Sequence, residues 1–321
     1  MVSSCCGKAS RTKARSHETE AAMGPRIPAG MELTLSTHLL VHSRLDDETL
    51  AAVADAGYRA VEAWLAEPHL PWRHPDRLQA VRRRLAAHGL RAGSVHLPFY
   101  PSVPELLEQG RRWSVIDPDP NHRAESLAGM ERGLEAAAVL GAAGAVLHLG
   151  WPEDDWRGDA PRLAREAVGR LRERARACGV RLLLENILSV GTRSARLVEL
   201  LDELDPDGEV GLCLDLGHAH VEGGGGDGLL EQLEAALPRL AHLHLHDNDA
   251  GSDQHLPPGR GTIPWRRVLD RLGEAGFHGL AALEIRDPDR GAGGPAATLA
   301  RVRPAVDAFR REHGLTAAHR G

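Results

Sequence analysis

Residues 144–187 read GAVLHLGWPEDDWRGDAPRLAREAVGRLRERARACGVRLLLENI. A short apolar run, GAVLHLG, passes through a polar loop into APRLAREAVGRLRERARACG, and a second apolar run, VRLLLENI, follows. The middle segment carries apolar side chains at i, i+3, i+4 and i+7 and closes on glycine, which is the signature of an amphipathic helix. The flanking runs are too short and too continuously apolar for anything but buried strands. A strand–helix–strand unit of this kind lays its strands parallel and its helix outside the sheet. Both runs end on a polar side chain that an apolar strand does not need, His148 and Glu185.

The unit recurs along the chain. MELTLSTHLL precedes DDETLAAVADAG, YRAVEAWL precedes PDRLQAVRRRLAAHG, and LRAGSVHLP precedes HRAESLAGMERGLEAAAVLG. After VRLLLENI comes SARLVELLDEL; then EVGLCLDLGH with LLEQLEAALPRL, LAHLHLHD with PWRRVLDRLGEAG, and GLAALEI with PAATLARVRPAVDAFRREHG. Eight such units over residues 31–315 predict one α/β domain, a (β/α)₈ TIM barrel with its active site at the C-terminal ends of the strands. An open doubly wound sheet competes, and the distribution of polar residues favours closure. Two connections stand out. FYPSVPELLEQGRRWSVIDPDPN is long enough for a lid, and EGGGGDG reads as a hinge or spacer without the Lys-Ser/Thr of a phosphate loop.

Composition narrows the function. The 321 residues are 42% hydrophobic and 26% charged, the balance of a globular protein with a large core. A net charge of −6 with 3% aromatics argues against duplex DNA as a partner. The cysteines Cys5, Cys6, Cys178 and Cys213 form no CxxC pair, which suits a reducing cytoplasm. No apolar run approaches the length of a membrane span. Residues 1–30 lack the apolar core of a secretory signal and read as a disordered polar tail, with Met23 or Met31 as alternative starts; residues 316–321 read as a short C-terminal tail.

The strand ends carry the chemistry. Strand three ends at His96, four at His148, five at Glu185, six at Asp215, seven at His244 or His246, and eight at Glu284. Buried charges and imidazoles converging on one barrel mouth are costly unless something neutralises them, and a divalent metal does so most simply. Glu185 and Glu284 sit in apolar strands, where an unpartnered Glu is rare. LDLGH sets Asp215 and His218 three residues apart across a strand–loop junction. In HLHLHDNDAGSDQHLPPGRGTI (242–263), His242, His244 and His246 share one strand face, and pattern alone does not choose the ligand among them. Asp253 and His255 form a D-x-H pair, and PPGRG turns the chain so that this loop folds back over the mouth.

These stretches, in particular HLPFY, VLHLG, LLLEN, CLDLGHAH, HLHDN, DQHLPPGRGTI and LEI, resemble the xylose-isomerase-like TIM-barrel superfamily, which includes sugar isomerases and epimerases and apurinic-site endonucleases of the endonuclease IV type. The resemblance implies two site designs. A one-metal isomerase would use Glu185, Asp215, His244 and Glu284 around one Mn²⁺, Mg²⁺ or Co²⁺. A three-zinc design would add His96 and His148 beside Glu185 as a bridging ligand, and His218, Asp253 and His255 for a third ion. All nine positions are filled, so the expectation is an enzyme with two or three Zn²⁺ ions, suited to phosphoester hydrolysis, with Glu185, Glu284 and His218 nearest the chemistry. The expected substrate is a small molecule bearing a phosphate or sugar. The alternative is sugar (phosphate) isomerisation or epimerisation with Glu185 and Glu284 as the acid/base pair.

Overall fold

In the computed structural model, which describes residues 30–315, the repeated unit closes into a ring. The strands are β1 (Gly30–Ser36), β2 (Ala60–Trp64), β3 (Arg91–His96), β4 (Gly144–Leu147), β5 (Arg181–Glu185), β6 (Gly211–Asp215), β7 (Leu240–Leu245) and β8 (His278–Leu283). Each pairs in parallel with the next, and β8 pairs with β1 from Gly30↔His278 to Leu35↔Leu283. Closure leaves no sheet edge to protect and brings all eight C-terminal strand ends to one mouth. The expected (β/α)₈ barrel is therefore the observed fold, and the open sheet is not. The two expected tails lie outside the described residues, apart from Gly30, which opens β1.

Ten helices surround the ring among the described residues: α1 (Asp47–Asp55), α2 (Pro75–Ala87), α3 (Val103–Gln109), α4 (Pro120–Leu140) and α5 (Ala160–Cys178), then α6 (Ser194–Leu204), α7 (Leu216–Glu222), α8 (Gly226–Ala236), α9 (Trp265–Glu274) and α10 (Gly294–Glu312). Their starts are chemically set. The Asp46 carboxylate accepts the Thr49 amide at 3.2 Å and caps α1, while Asp119 caps α4 through Asn121 and His122. The apolar stripe of α5 (Leu163, Ala167, Val168, Leu171, Ala175) is buried against the sheet. Burial of a leucine such as Leu171 is worth about 1.5–3 kcal/mol. No helix among the described residues is long and apolar enough to cross a membrane.

Three local features depart from expectation. Strand one stops at Ser36, because the chain turns there into a 3₁₀ turn, Thr37–Leu40, capped by the Ser36 hydroxyl; His38 is thereby delivered to the mouth. The glycine run is not a spacer. It forms the tight junction between α7 and α8, where the Gly225 amide donates to His220 O at 3.0 Å and Gly223 packs backbone to backbone on Gly228, an approach that any Cβ would block. The long connection after β3 contains a short helix of its own, α3, which buries none of its side chains.

Candidate metal centre

Alternation along a strand sends every second side chain into the barrel, and at the mouth the inward positions are polar. Glu185 and Asp215 are the last residues of β5 and β6, while His148 and Glu284 stand one residue past β4 and β8. His96 ends β3, and His244 lies within β7. All of these are buried except His148, which is partly so.

The nine residues singled out in the sequence meet in three adjoining groups. In the first, His96 Nε2 and His148 Nε2 lie 3.2 and 2.8 Å from Glu185 Oε2. In the second, His244 Nδ1 lies 2.7 Å from Glu284 Oε2, 3.2 Å from Glu185 Oε1 and 3.7 Å from Asp215 Oδ2. In the third, His255 Nε2 is 3.0 Å and His218 Nε2 3.8 Å from Asp253 Oδ2. Glu185 thus turns one oxygen to each of the first two groups. Asp215 joins the second and third differently: both its oxygens lie against His246 Nε2, at 2.9 and 3.0 Å, and Oδ2 also faces His244.

The histidine ladder resolves by depth. His244 faces Glu185, Asp215 and Glu284, whereas His246 joins His218, Asp253 and His255 in the third group. His246 is therefore a member that the strand pattern offers without distinguishing. Its ring passes over Gly217, where a Cβ would occupy the same space. His242 is turned deeper, its Nε2 2.9 Å from Glu62 Oε2. Two further residues are not singled out by the sequence pattern. Glu62 is a buried acid in the middle of β2, flagged by the same apolar context as Glu185 but not at a strand end. His38 stacks on Trp64 with ring centroids 4.3 Å apart, and its Nδ1 lies 3.6 Å from Glu284 Oε1.

The loop after β7 folds back as expected, and Asp247 is what holds it. The backbones of Asp247 and Leu256 exchange hydrogen bonds of 2.8 and 2.9 Å, and the Asp247 carboxylate accepts from Gly259 N, Ile263 N and Trp265 Nε1. His255 sits at φ 47, a left-handed conformation costing a non-glycine residue of order 1 kcal/mol, and its Nδ1 donates to Glu284 O at 2.7 Å. The strained turn aims Nε2 at Asp253.

The electrostatics fit a cation. Three buried carboxylates close on one imidazole nitrogen of His244, and a single N–H cannot serve three acceptors. Glu284 Oε2 makes no hydrogen bond despite the 2.7 Å approach of His244 Nδ1, and buried Asp253 Oδ1 makes none either. Burial works against charge throughout, yet the His148 and His244 imidazoles hold the Glu185 carboxyl well below its usual range. Burial likewise opposes protonation of His218, but Asp215, Asp253 and Glu185 lift its pKa well above the ordinary value. His38 is different: burial dominates and lowers it to about 3 although Glu284 is adjacent. A mixed nitrogen and oxygen donor set of this kind suits Zn²⁺ and neighbouring transition ions.

Above the donors lies a cavity of about 300 Å³ with an aromatic wall of Trp64, Phe99, Tyr100 and Trp151. Phe99 stacks on His148 at 4.6 Å, and Trp64 Nε1 donates to Tyr100 Oη at 2.8 Å. Trp113, from the same long connection, is packed in the core instead.

The family described as Xylose isomerase-like TIM barrel matches residues 50–311. The chain is 31% identical to the probable endonuclease 4 of Symbiobacterium thermophilum over 71% of its own length and 83% of the relative's. It is 25% identical to the fructoselysine 3-epimerase of Shigella flexneri, covering 76% and 87%. The solved TTHB071 protein from Thermus thermophilus, soaked with ZnCl₂, superposes with a TM-score of 0.58 at 28% identity, covering 87% of this chain and 99% of that one.

Proposed function

Because the chain belongs to the xylose isomerase-like TIM-barrel family, we propose that it is a multinuclear divalent-metal enzyme hydrolysing a phosphoester bond in a small sugar- or nucleotide-like substrate. One observation carries this reading: Glu185 divides its two oxygens between His96/His148 and His244, and Asp215 Oδ2 lies between His244 and His246. A one-ion isomerase needs only Glu185, Asp215, His244 and Glu284. It leaves the imidazoles of His96, His148, His246 and His255 gathered in the barrel with no ion to bind.

The first ion would be held by His96, His148 and Glu185, the second by Glu185, Asp215, His244 and Glu284, and the third by His218, Asp253 and His255 with His246 alongside. When bound, such ions supply a nucleophile at neutral pH and offset charge on the phosphoryl oxygens. The chain's own contribution is placement. Glu185 fixes the spacing of the first two positions, Glu284 accepts a proton beside them, and His218, anchored by Nδ1 to Asn186 O at 2.9 Å, keeps Nε2 turned toward Asp253 in the third group. The aromatic wall strips water from the reacting group. The acidic net charge and the size of the cavity favour a small substrate over a duplex.

A second reading, sugar isomerisation or epimerisation, draws on a different observation. Glu185 and Glu284 approach His244 Nδ1 together, at 3.2 and 2.7 Å, as an acid/base pair beside a single ion would. Elemental analysis separates the two: two or three ions per chain support hydrolysis and one supports isomerisation. Asp253→Ala, assayed on bis-p-nitrophenyl phosphate, is expected to abolish phosphodiester cleavage while sparing a one-ion isomerase in part. Full activity of that variant on the phosphodiester would refute the hydrolase reading.

A further inference from the structure

Beneath the mouth lies a buried cluster that the proposed reaction does not use. Along β2 the inward positions are Glu62 and, one layer higher, Trp64 of the cavity wall, so Glu62 lies below the donor groups. It is fully buried, and three groups from two other strands close around its carboxylate. Ser94 Oγ of β3 donates to Oε2 at 2.9 Å, and His242 Nε2 of β7 reaches the same oxygen at 2.9 Å. His244 Nε2 lies 3.1 Å from Oε1 and 3.3 Å from Oε2. The Cys213 thiol of β6 closes the cluster beside the two histidines.

We infer that Glu62 is a positioning residue: its carboxylate accepts a hydrogen bond from His244 Nε2–H, holds the ring proton on that nitrogen and so turns the Nδ1 lone pair of the ring into the metal centre. This rests on the metal reading above. A neutral imidazole carries one proton and one lone pair, so the group facing one nitrogen decides what the other can do. His244 Nδ1 faces Glu284, Glu185 and Asp215 and can serve as a ligand only when unprotonated. On the other side of the ring Glu62 is the carboxylate in reach, and it fixes ring rotation as well as tautomer. His242 and Ser94 hold that carboxylate in turn, which gives the deepest histidine of the ladder a role without making it a ligand.

The test compares wild-type protein with Glu62→Gln, both loaded with Zn²⁺ and then titrated with a chelator, and with Co²⁺ in place of Zn²⁺ for absorption spectra. The variant is expected to release its ions at about 10–100-fold lower chelator concentration and to shift the Co²⁺ bands, while the melting temperature of the ion-free protein changes little. Glu62→Asp, which keeps the charge but withdraws it from His244 by one methylene, is expected to behave alike and covers the case in which the glutamine variant does not fold. Folded variants that hold ions within twofold of wild type overturn the inference, as does a variant that loses only ion-free stability. Wild-type protein that takes up no ion overturns the metal reading itself, and this inference with it.

Discussion

Glu185 is legible in the sequence for a simple reason. An acid closing the run Leu182-Leu183-Leu184 has no place in an apolar strand unless a partner waits inside, and the same logic marks Glu284. Glu62 carries the same mark in an equally apolar strand, but it lies within the strand and not at its end, and nothing in the pattern names its partner: His242 is 180 residues away, and the β6–β7 register shift that sets it at its depth leaves no trace. The loop that carries Asp253 and His255 is readable as a return over the mouth, while its clamp is not. Asp247 tests that clamp. Replacing it with Asn is expected to cost about 2–4 kcal/mol in urea unfolding, since four donors, Asn248 N among them, lose a charged acceptor, and to loosen ion retention through His255. A variant as stable as wild type would assign the loop's order to other contacts. His69 offers a cleaner electrostatic test. Burial lowers its pKa to about 4 although Ser43 O accepts from Nδ1 at 2.6 Å. Above about pH 6.5 neither folded nor unfolded chain protonates this ring. Between about pH 6.5 and about 4 only the unfolded chain does, so stability falls as the pH drops through that window. The loss is of the order of 3 kcal/mol, and His69→Gln is expected to flatten that limb in acid denaturation curves.

At the scale of elements, the eight strands and their principal helices follow from period alone, since runs of ten or more residues with a clear apolar stripe carry a strong signal. The elements that period does not reveal are short. The 3₁₀ turn at Thr37–Leu40 depends on one serine cap, α3 and α7 span seven residues each, and α8 begins inside a glycine run that propensity alone assigns to a flexible link. Of these, α3 is the weakest on physical grounds. It buries no side chain and leaves Leu107 68% exposed, so tertiary packing adds little to a helix of under two turns. Amide hydrogen exchange across 103–110 is expected to run at least about tenfold faster than in the flanking β3 and α4. Protection equal to those elements would mean that the segment packs in solution more tightly than its contacts indicate.

For the whole molecule, closure follows from where the polar residues fall, and the ring bears this out: donors drawn from positions 96 to 284 share one end of a barrel because every strand runs the same way. Such a site is also a clasp across the sheet. An ion bound by β5, β6, β7 and the residue after β8 ties together strands that are far apart in sequence, and an ion present at about 100 times its dissociation constant adds about 2.7 kcal/mol to the native state. Removal of divalent ions with a chelator is expected to lower the melting temperature by several degrees, and addition of Zn²⁺ to restore it. An unchanged melting curve would count against any ion in the barrel.

The parallel run of the strands has one more consequence. Gly30 enters β1 at the floor of the barrel, and α10 descends from the rim to end at Glu312 on that same side, while the donors and the aromatic wall occupy the opposite face. A tag, a fused partner or a surface anchor joined at either point therefore hangs beneath the barrel and leaves its opening free. Held at Gly30 or at Glu312, the barrel presents its working face outward to whatever flows past.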